Sequence, residues 1–328
     1  MRRREFLSSL VGAAALWPLA ARAQQSPRLP VVGYLMNSTP EGGTAFVAAV
    51  RNGLDEAGMV EGKDFTSELR WANNDADRLP GLAADLVRRR VAVIVATAAS
   101  PTVRAAKTAT TEIPIVFVTG IDPVQAGFVT SLNRPGGNVT GISTMNLELG
   151  SKWVALLHEL LPAAKRVAVL VNFEGGESAR LLITGTQAAT LAMGLQTEFV
   201  FASKVGEIDA ALAGLGSRAQ ALIVHPDTFF IQNRAKLAAL AIREKLPTLS
   251  TLPDFAKAGG MMSYGSNFID AHRQAGVYVG RILRGDKPGE LPVQQASKFN
   301  FVINLKTAKA IGVDIPATLL ARADEAIE

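Results

Sequence analysis

The chain contains no cysteine, and only three of its 328 residues are histidine. Disulfide scaffolds, cysteine nucleophiles and lipid attachment through a cysteine are therefore excluded, and little is left from which to build a zinc site. Aromatic residues make up 6% and charged residues 19%. No Lys/Arg run remains after the first residues except Arg88-Arg89-Arg90 at the end of a helical pattern, where cations suit the helix dipole. A nucleic-acid footprint is missing, and no nucleic-acid partner is expected. The catalytic signatures sought are also missing: no Gly-x-Ser-x-Gly elbow, no Walker-type phosphate loop and no dinucleotide glycine fingerprint follows the first strand. "HELLP" at His158 begins like a zinc helix but has Pro162 where a second histidine belongs. No metal or cofactor is expected, and the chain reads as a non-enzyme.

The first residues are a leader rather than part of the fold. "MRRREFLSSLVGAAALWPLAARAQQ" has a basic start, an apolar stretch from Leu7 to Ala20 and the small-x-small site Ala21-Arg22-Ala23. The apolar stretch is well short of the roughly 20 residues that span a bilayer. Arg3-Arg4-Glu5-Phe6-Leu7 resembles a twin-arginine export signal. Cleavage after Ala23 is expected, giving a periplasmic protein with no membrane anchor. It would remove four arginines and one glutamate from 34 basic and 29 acidic residues, lowering the net charge from +5 to +2.

What is present is aliphatic: 48% hydrophobic residues, arranged as alternating strand-like and helix-like stretches. "VVGYLM", "VAVIVAT" and "PIVFVTG" read as buried strands separated by amphipathic helices. After a turn-rich passage at 119–143 the alternation restarts with "KRVAVLVN", "LQTEFVFA", "QALIVHP" and "LPTLST". Strands joined by single helices imply right-handed crossovers and parallel sheets covered on both faces. A length of 328 residues favours two lobes over one core. The tail, strand-helix then strand-helix, suits a chain that crosses between lobes more than once. The expected division is a signal at 1–23, a first lobe of 29–145 plus 259–290, and a second of 146–258 plus 291–328.

Ligands of open parallel sheets sit beyond the carboxyl ends of the strands. Those ends are Asn37-Ser38-Thr39, Thr97-Ala98-Ala99-Ser100, Thr119-Gly120-Ile121-Asp122, Asn172-Phe173, Pro226-Asp227 and Tyr264-Gly265-Ser266. The hydroxyls of Thr97 and Ser100, with free N–H groups from Ala98 to Thr102 at a helix start, make a receptor for a carboxylate; the alternative is that Ser100 serves only as a cap. "NSTPEGG" is a second such turn. Asp122 and Asp227 either face an ammonium group or act as helix caps, and one residue can do both. Tyr34, Phe173 and Tyr264 either enclose an apolar ligand group or pack in the core, with core packing favoured for Tyr34. An alternative is an exported α/β hydrolase or lyase using Asp122, Asp227 and His225.

"GIDPVQAGFVTSLNRPGGNVTGIS", preceded by "IPIVFV" and followed near the end by "KFNFVINLKTAKAIGVDIP", resembles the periplasmic substrate-binding proteins of ABC transporters, in the family that includes the tryptophan- and tyrosine-associated binding component. The resemblance covers essentially the whole mature chain. It implies an α/β type I periplasmic binding fold, with two Rossmann-like lobes, three crossovers and one small molecule, an amino acid or related carboxylate, held in the cleft. It also implies an ABC permease and ATPase as partners; a membrane receptor is the alternative partner. By the same likeness Ser38, Thr97, Ser100, Asp122 and Asp227 fall where the family binds amino-acid head groups, joined in the candidate site by Thr39, Ala98, Gly120, Phe173 and Tyr264. The Asp-Pro turn is expected to start a short helix at the cleft, and Gly136, Gly137 and Gly141 to turn the chain toward a hinge.

Overall fold

A computed structural model describes residues 29–97, 100–145, 149–173 and 176–328. The expected leader and Ala98 lie outside the described residues.

The first sheet forms around strands whose side chains are buried on both faces, as parallel strands covered by helices require. β1 (Val31–Met36) is followed by helix α1 (Pro40–Glu56), β2 (Thr66–Trp71), α2 (Leu79–Arg88), β3 (Val93–Thr97), α3 (Ser100–Ala109), β4 (Ile115–Thr119) and β5 (Val139–Ser143). The second half continues with α4 (Gly150–Leu160), β6 (Arg166–Val171), α5 (Gly176–Ala192), β7 (Gln196–Phe201), α6 (Val205–Leu212) and β8 (Ala221–Val224). Then come α7 (Thr228–Gln232), α8 (Arg234–Arg243), β9 (Thr248–Ser250), α9 (Pro253–Lys257), β10 (Met262–Ser266) and α10 (Phe268–Leu283). The tail holds β11 (Gln294–Gln295), β12 (Phe299–Asn304), α11 (Leu305–Ile311), α12 (Ala317–Leu320) and β13 (Glu325–Ile327).

These strands make two sheets, ordered β11-β5-β4-β3-β1-β2 and β13-β12-β10-β9-β8-β6-β7. Each sheet carries a buried apolar layer on either face. Val32, Val95 and Val116 pack under α1 and α10 in the first lobe, and Ile94 and Phe117 under α2 and α3. In the second lobe Val169 and Ile223 meet Trp153 and Leu157, while Leu170 and Leu222 meet Ile208 and Leu237. The expected α/β architecture of two mainly parallel lobes is the one observed.

The sheets divide the chain differently from expectation at two places. β10 pairs with β9 and β12 in the second sheet, whereas α10 packs on α1 in the first lobe. The crossing thus falls between a strand and its helix, at Asn267, so 259–267 belongs to the second lobe. β11 pairs with β5 and returns the stretch around Leu291 and Val293 to the first lobe. The chain therefore crosses after β5, after β10 and after β11. Among the described strands, the β10–β12 pairing is the one antiparallel pairing, and β13 runs with β12. β12 enters from the other lobe at the carboxyl edge of its sheet, with only residues 296–298 as a link, and so must run back down the sheet.

The links are bonded to each other. Ser266 Oγ donates to Thr144 O at 2.7 Å, Ala296 N to Ser143 O at 2.8 Å, and Asn267 N to Lys298 O at 2.9 Å. Ahead of β5, Gly136 and Gly137 take φ of 73° and 62°, left-handed values that favour glycine. α7 and α8 are separated at Asn233 (φ −97°, ψ 15°), whose side-chain Nδ2 donates to Phe229 O at 2.8 Å.

Candidate functional site: the carboxyl edges of the two sheets

The carboxyl edges of the two sheets face each other, because the loops beyond β1 and β2 meet the helix beyond β8: Asn74 Nδ2 donates to Gln232 Oε1 at 2.8 Å across the seam. Of the strand-end residues picked from sequence, Asp122 lines a space shared by the two lobes, and Ser38, Thr97 and Asp227 lie at strand ends on either side.

On the first lobe, Met36 of β1 stands beside Thr97 of β3 in parallel register. The chain then places Ser38 next to the end of β3. Ser38 Oγ and Thr97 Oγ1 are buried, at 0% and 1% residue exposure, and neither has a hydrogen-bond partner among the described residues. Native proteins rarely leave a buried hydroxyl unpaired, since each costs about 1–3 kcal/mol. Gly43 helps to produce this arrangement. A Cβ there would lie 2.2 Å from the Trp71 ring and 2.7 Å from Ser38 Oγ, so only glycine lets α1 settle against Ser38. Thr102, in the first turn of α3, has a third buried hydroxyl without a partner. The sequence pointed to its N–H but not to its hydroxyl, whose only signal is its place two residues into a helix that begins at a strand end. Ser100 is buried at the start of α3. Thr39 Oγ1 is already engaged, accepting from Gly42 N at 3.3 Å as the cap of α1.

Asp122 caps a turn rather than a helix. Its Oδ1 accepts from Val124 N at 2.8 Å and Gln125 N at 3.2 Å. The expected short helix stops after one turn because Gly127 adopts φ 69° and sends Phe128 and Val129 into the core. A Cβ on Gly120 would meet Thr144 Oγ1 at 3.7 Å, an ordinary contact, so the position has room for a side chain. Asp122 and Gln125 look across a space of about 320 Å³ at Gly150, Ser151, Leu181 and Gly185 of the second lobe.

On the second lobe Asp227 caps α7, accepting from Phe229 N at 2.8 Å, and its Oδ1 also accepts from Asn172 Nδ2 at 3.1 Å. Asn172 Oδ1 in turn accepts from Ser203 Oγ at 2.8 Å. The ends of β6, β7 and β8 are thereby joined in one polar chain. Asp227 Oδ2 has no protein partner among the described residues. Phe173 is 72% exposed and meets Phe201 edge-on, with centroids 5.8 Å apart, forming an apolar lip.

Three aromatic or basic candidates do not join this cluster. Tyr34 is in the first-lobe core, and burial raises the pKa of its phenol despite the opposing charge of Arg51. Tyr264 turns toward the second-lobe core, stacked on Phe299 at 5.9 Å, edge-on to Phe301, and covered by the Lys152 ammonium at 5.8 Å. His225 is 1% exposed inside the second lobe beside a space of about 10 Å³, room for about one water. Asp122 and His225 thus belong to different lobes. Among the described residues, no group of three or more His, Cys, Asp or Glu is placed to hold a metal, and no helix is long and apolar enough to cross a membrane.

Residues 40–327 match the family described as ABC transporter substrate binding protein. A tyrosine-binding protein of Clostridioides difficile is 26% identical over 259 residues, which is 79% of this chain and 74% of that protein. The crystal structure of a conserved domain protein from Vibrio cholerae is 28% identical, covers 91% of this chain and all of its own, and superposes with a TM-score of 0.83. An ABC domain from Streptococcus pneumonia, solved in complex with L-Trp, shares the fold at 23% identity over 91% of this chain and all of its own, with a TM-score of 0.82. The chain therefore belongs to the ABC transporter substrate-binding protein family and has its two-lobed, type I periplasmic binding fold.

Proposed function

We propose that this protein captures an amino acid between its lobes and releases it chemically unchanged to an ABC permease and its ATPase, working in the periplasm after export through the twin-arginine route. The observation that carries the capture is the pair of buried, unpartnered hydroxyls at Ser38 and Thr97. An isolated protein gains nothing from such groups, whereas a bound carboxylate would accept from both. Thr102 and the first turn of α3, led by Ser100, add donors to the same anion. Asp227, fixed by Asn172 and open at Oδ2, faces the ammonium group from the other lobe. Asp122, whose carboxylate already caps its turn, closes the first-lobe side together with Gly120.

A tyrosine-binding relative and an L-Trp-bound structural neighbour support an aromatic amino acid as the cargo. The exposed Phe173–Phe201 pair supports the same choice, since an apolar lip suits a ring projecting from the head-group site. Closure is favoured only to the extent that the ligand binds the closed form better than the open one.

The test is calorimetric titration with L-tyrosine, L-tryptophan, tyramine and indole-3-propionate. The two amino acids should bind, and the analogues lacking either the carboxylate or the ammonium group should bind at least tenfold more weakly. Equal binding of tyramine and L-tyrosine would remove the carboxylate assignment.

A further inference from the structure

Away from the hinge links, one side-chain hydrogen bond joins the lobes among the described residues, and both of its ends are built with care. On the first lobe, Asn73 and Asn74 adopt φ of 58° and 62° in succession, a left-handed conformation that residues other than glycine reach only at some cost. Two backbone bonds hold them there: Asn73 N donates to Ser38 O at 3.2 Å and Asn74 N to Asn37 O at 2.6 Å. The loop that presents Asn74 is therefore tied to the loop that carries the unpartnered Ser38 hydroxyl. On the second lobe, Gln232 ends α7, the short helix whose first turn Asp227 caps. Asp227 and Gln232 thus move as one piece. The amide of Gln232 also lies hard against α1. A Cβ on Gly42 would come within 2.8 Å of Gln232 Nε2, and that nitrogen is buried with no partner.

We propose that Gln232 is a positioning residue: it latches the second lobe to Asn74 in the closed protein and sets the closed fraction, and hence the affinity, without touching the ligand. Each end of the latch is one rigid step from a proposed ligand contact, Ser38 on one side and Asp227 on the other. A molecule bridging those two brings Asn74 and Gln232 into register. Without a ligand this one bond holds the lobes only weakly, so the free protein samples both states. Losing one such bond changes the ratio of closed to open by about fivefold, and the affinity of a ligand that requires closure by the same factor.

The cysteine-free chain permits a direct test. Spin labels at Asp77→Cys and Lys204→Cys, both on exposed positions at the two sides of the mouth, report the interlobe distance in ligand-free protein. Gln232→Ala should shift the closed-to-open ratio about fivefold toward open. Asn74→Ala should do the same, and the double variant no more than either alone. Gln232→Glu at neutral pH, whose carboxylate still accepts from Asn74, should restore closure, and Gly42→Ala should open the protein by wedging the seam. Asn74→Ala should lower the melting temperature by only about 2–4 °C, the cost of alanine at φ 62° in an exposed loop. Unchanged distances in both single variants, additive effects in the double, or a parent that is wholly open without ligand would each overturn the latch.

The affinity arm, a fivefold weaker L-tryptophan or L-tyrosine Kd in Gln232→Ala, rests on the proposed function. Failure of the parent to bind either amino acid would count against that function, while the distance measurement still decides the latch.

Discussion

Asn172 and Asp227 share one hydrogen bond, Nδ2 to Oδ1 at 3.1 Å, and through it the end of β6 holds the first turn of α7 in place. Asp227 therefore has a structural duty as well as its proposed contact with an ammonium group, and two substitutions separate them. Asp227→Asn keeps an oxygen for Phe229 N but removes the charge. It should leave the unfolding free energy within about 0.5 kcal/mol of the parent, since Asn and Asp cap about equally well, while weakening L-tryptophan at least tenfold. Asp227→Ala should also lose about 1 kcal/mol of stability with the cap. Chemical denaturation and calorimetric titration of both variants check the pair.

The hydroxyls of Ser38 and Thr97 predict an uncommon pattern. In the free protein Ser38→Ala and Thr97→Val should be neutral or slightly stabilising, because each removes a buried polar atom that has no partner. Ligand-induced stabilisation should nevertheless fall in both. Melting curves with and without L-tyrosine measure the two quantities in one experiment, and a destabilised free Thr97→Val would show that the hydroxyl has a structural partner.

His272 predicts an acid sensitivity. It lies buried with its ring stacked on Phe46 at 4.4 Å, and its Nδ1–H donates to Phe268 O at 2.7 Å. Burial lowers its pKa from 6.5 to about 4, with the bond to Phe268 opposing the shift. The unfolded chain therefore takes up the proton first as pH falls. The stabilisation is complete above pH 6.5 and is lost between 6.5 and about 4, by about 3 kcal/mol in total. Asp85, held down to about 2 mainly by its hydrogen bonds with Arg70 and Arg89, makes its own loss only below about pH 4. Urea midpoints at pH 7.5 and pH 4.5 should differ much less in His272→Phe than in the parent.

The crossing of α1 and α10 predicts where a single methyl group does most harm. A Cβ on Gly276 would lie 2.0 Å from Val50 O, and one on Gly53 would lie 1.8 Å from Arg273 O. Backbone cannot yield as a side-chain tip can, so Gly276→Ala should cost about 3 kcal/mol or more. Thermal unfolding followed by circular dichroism would show it as a lowered first transition.

Much of this layout was legible in the residues. Buried aliphatic strands and amphipathic helices marked two lobes and a chain that crosses between them more than once; the number three came with the family resemblance, and strand-end polar residues pointed to Ser38, Thr97 and Asp227. Asp227 also proved to be a helix cap, as Asp227-Thr228 suggested locally, whereas Asp122-Pro123 caps only a turn. The remainder depended on distance along the chain. Asn74 and Gln232 are 158 residues apart and carry no local mark of their meeting. Tyr264 is at the right end of a strand, but which face it takes is set by Phe299 and Phe301 on a neighbour that arrives from the other lobe. The reversed direction of β12 follows from where its link enters, which no periodicity encodes.

The interleaved course of the chain has a consequence for biosynthesis. A nascent polypeptide released through residue 258 holds five of the six strands of its leading lobe but lacks α10, the helix that seals one side of them. The leading lobe cannot reach its finished form until residues near 295 have emerged, nor the other until β12 and β13, at 299–327, have followed. Assembly must therefore wait for the tail of the polypeptide, and a truncation ahead of α10 should yield an aggregating product instead of a free-standing half.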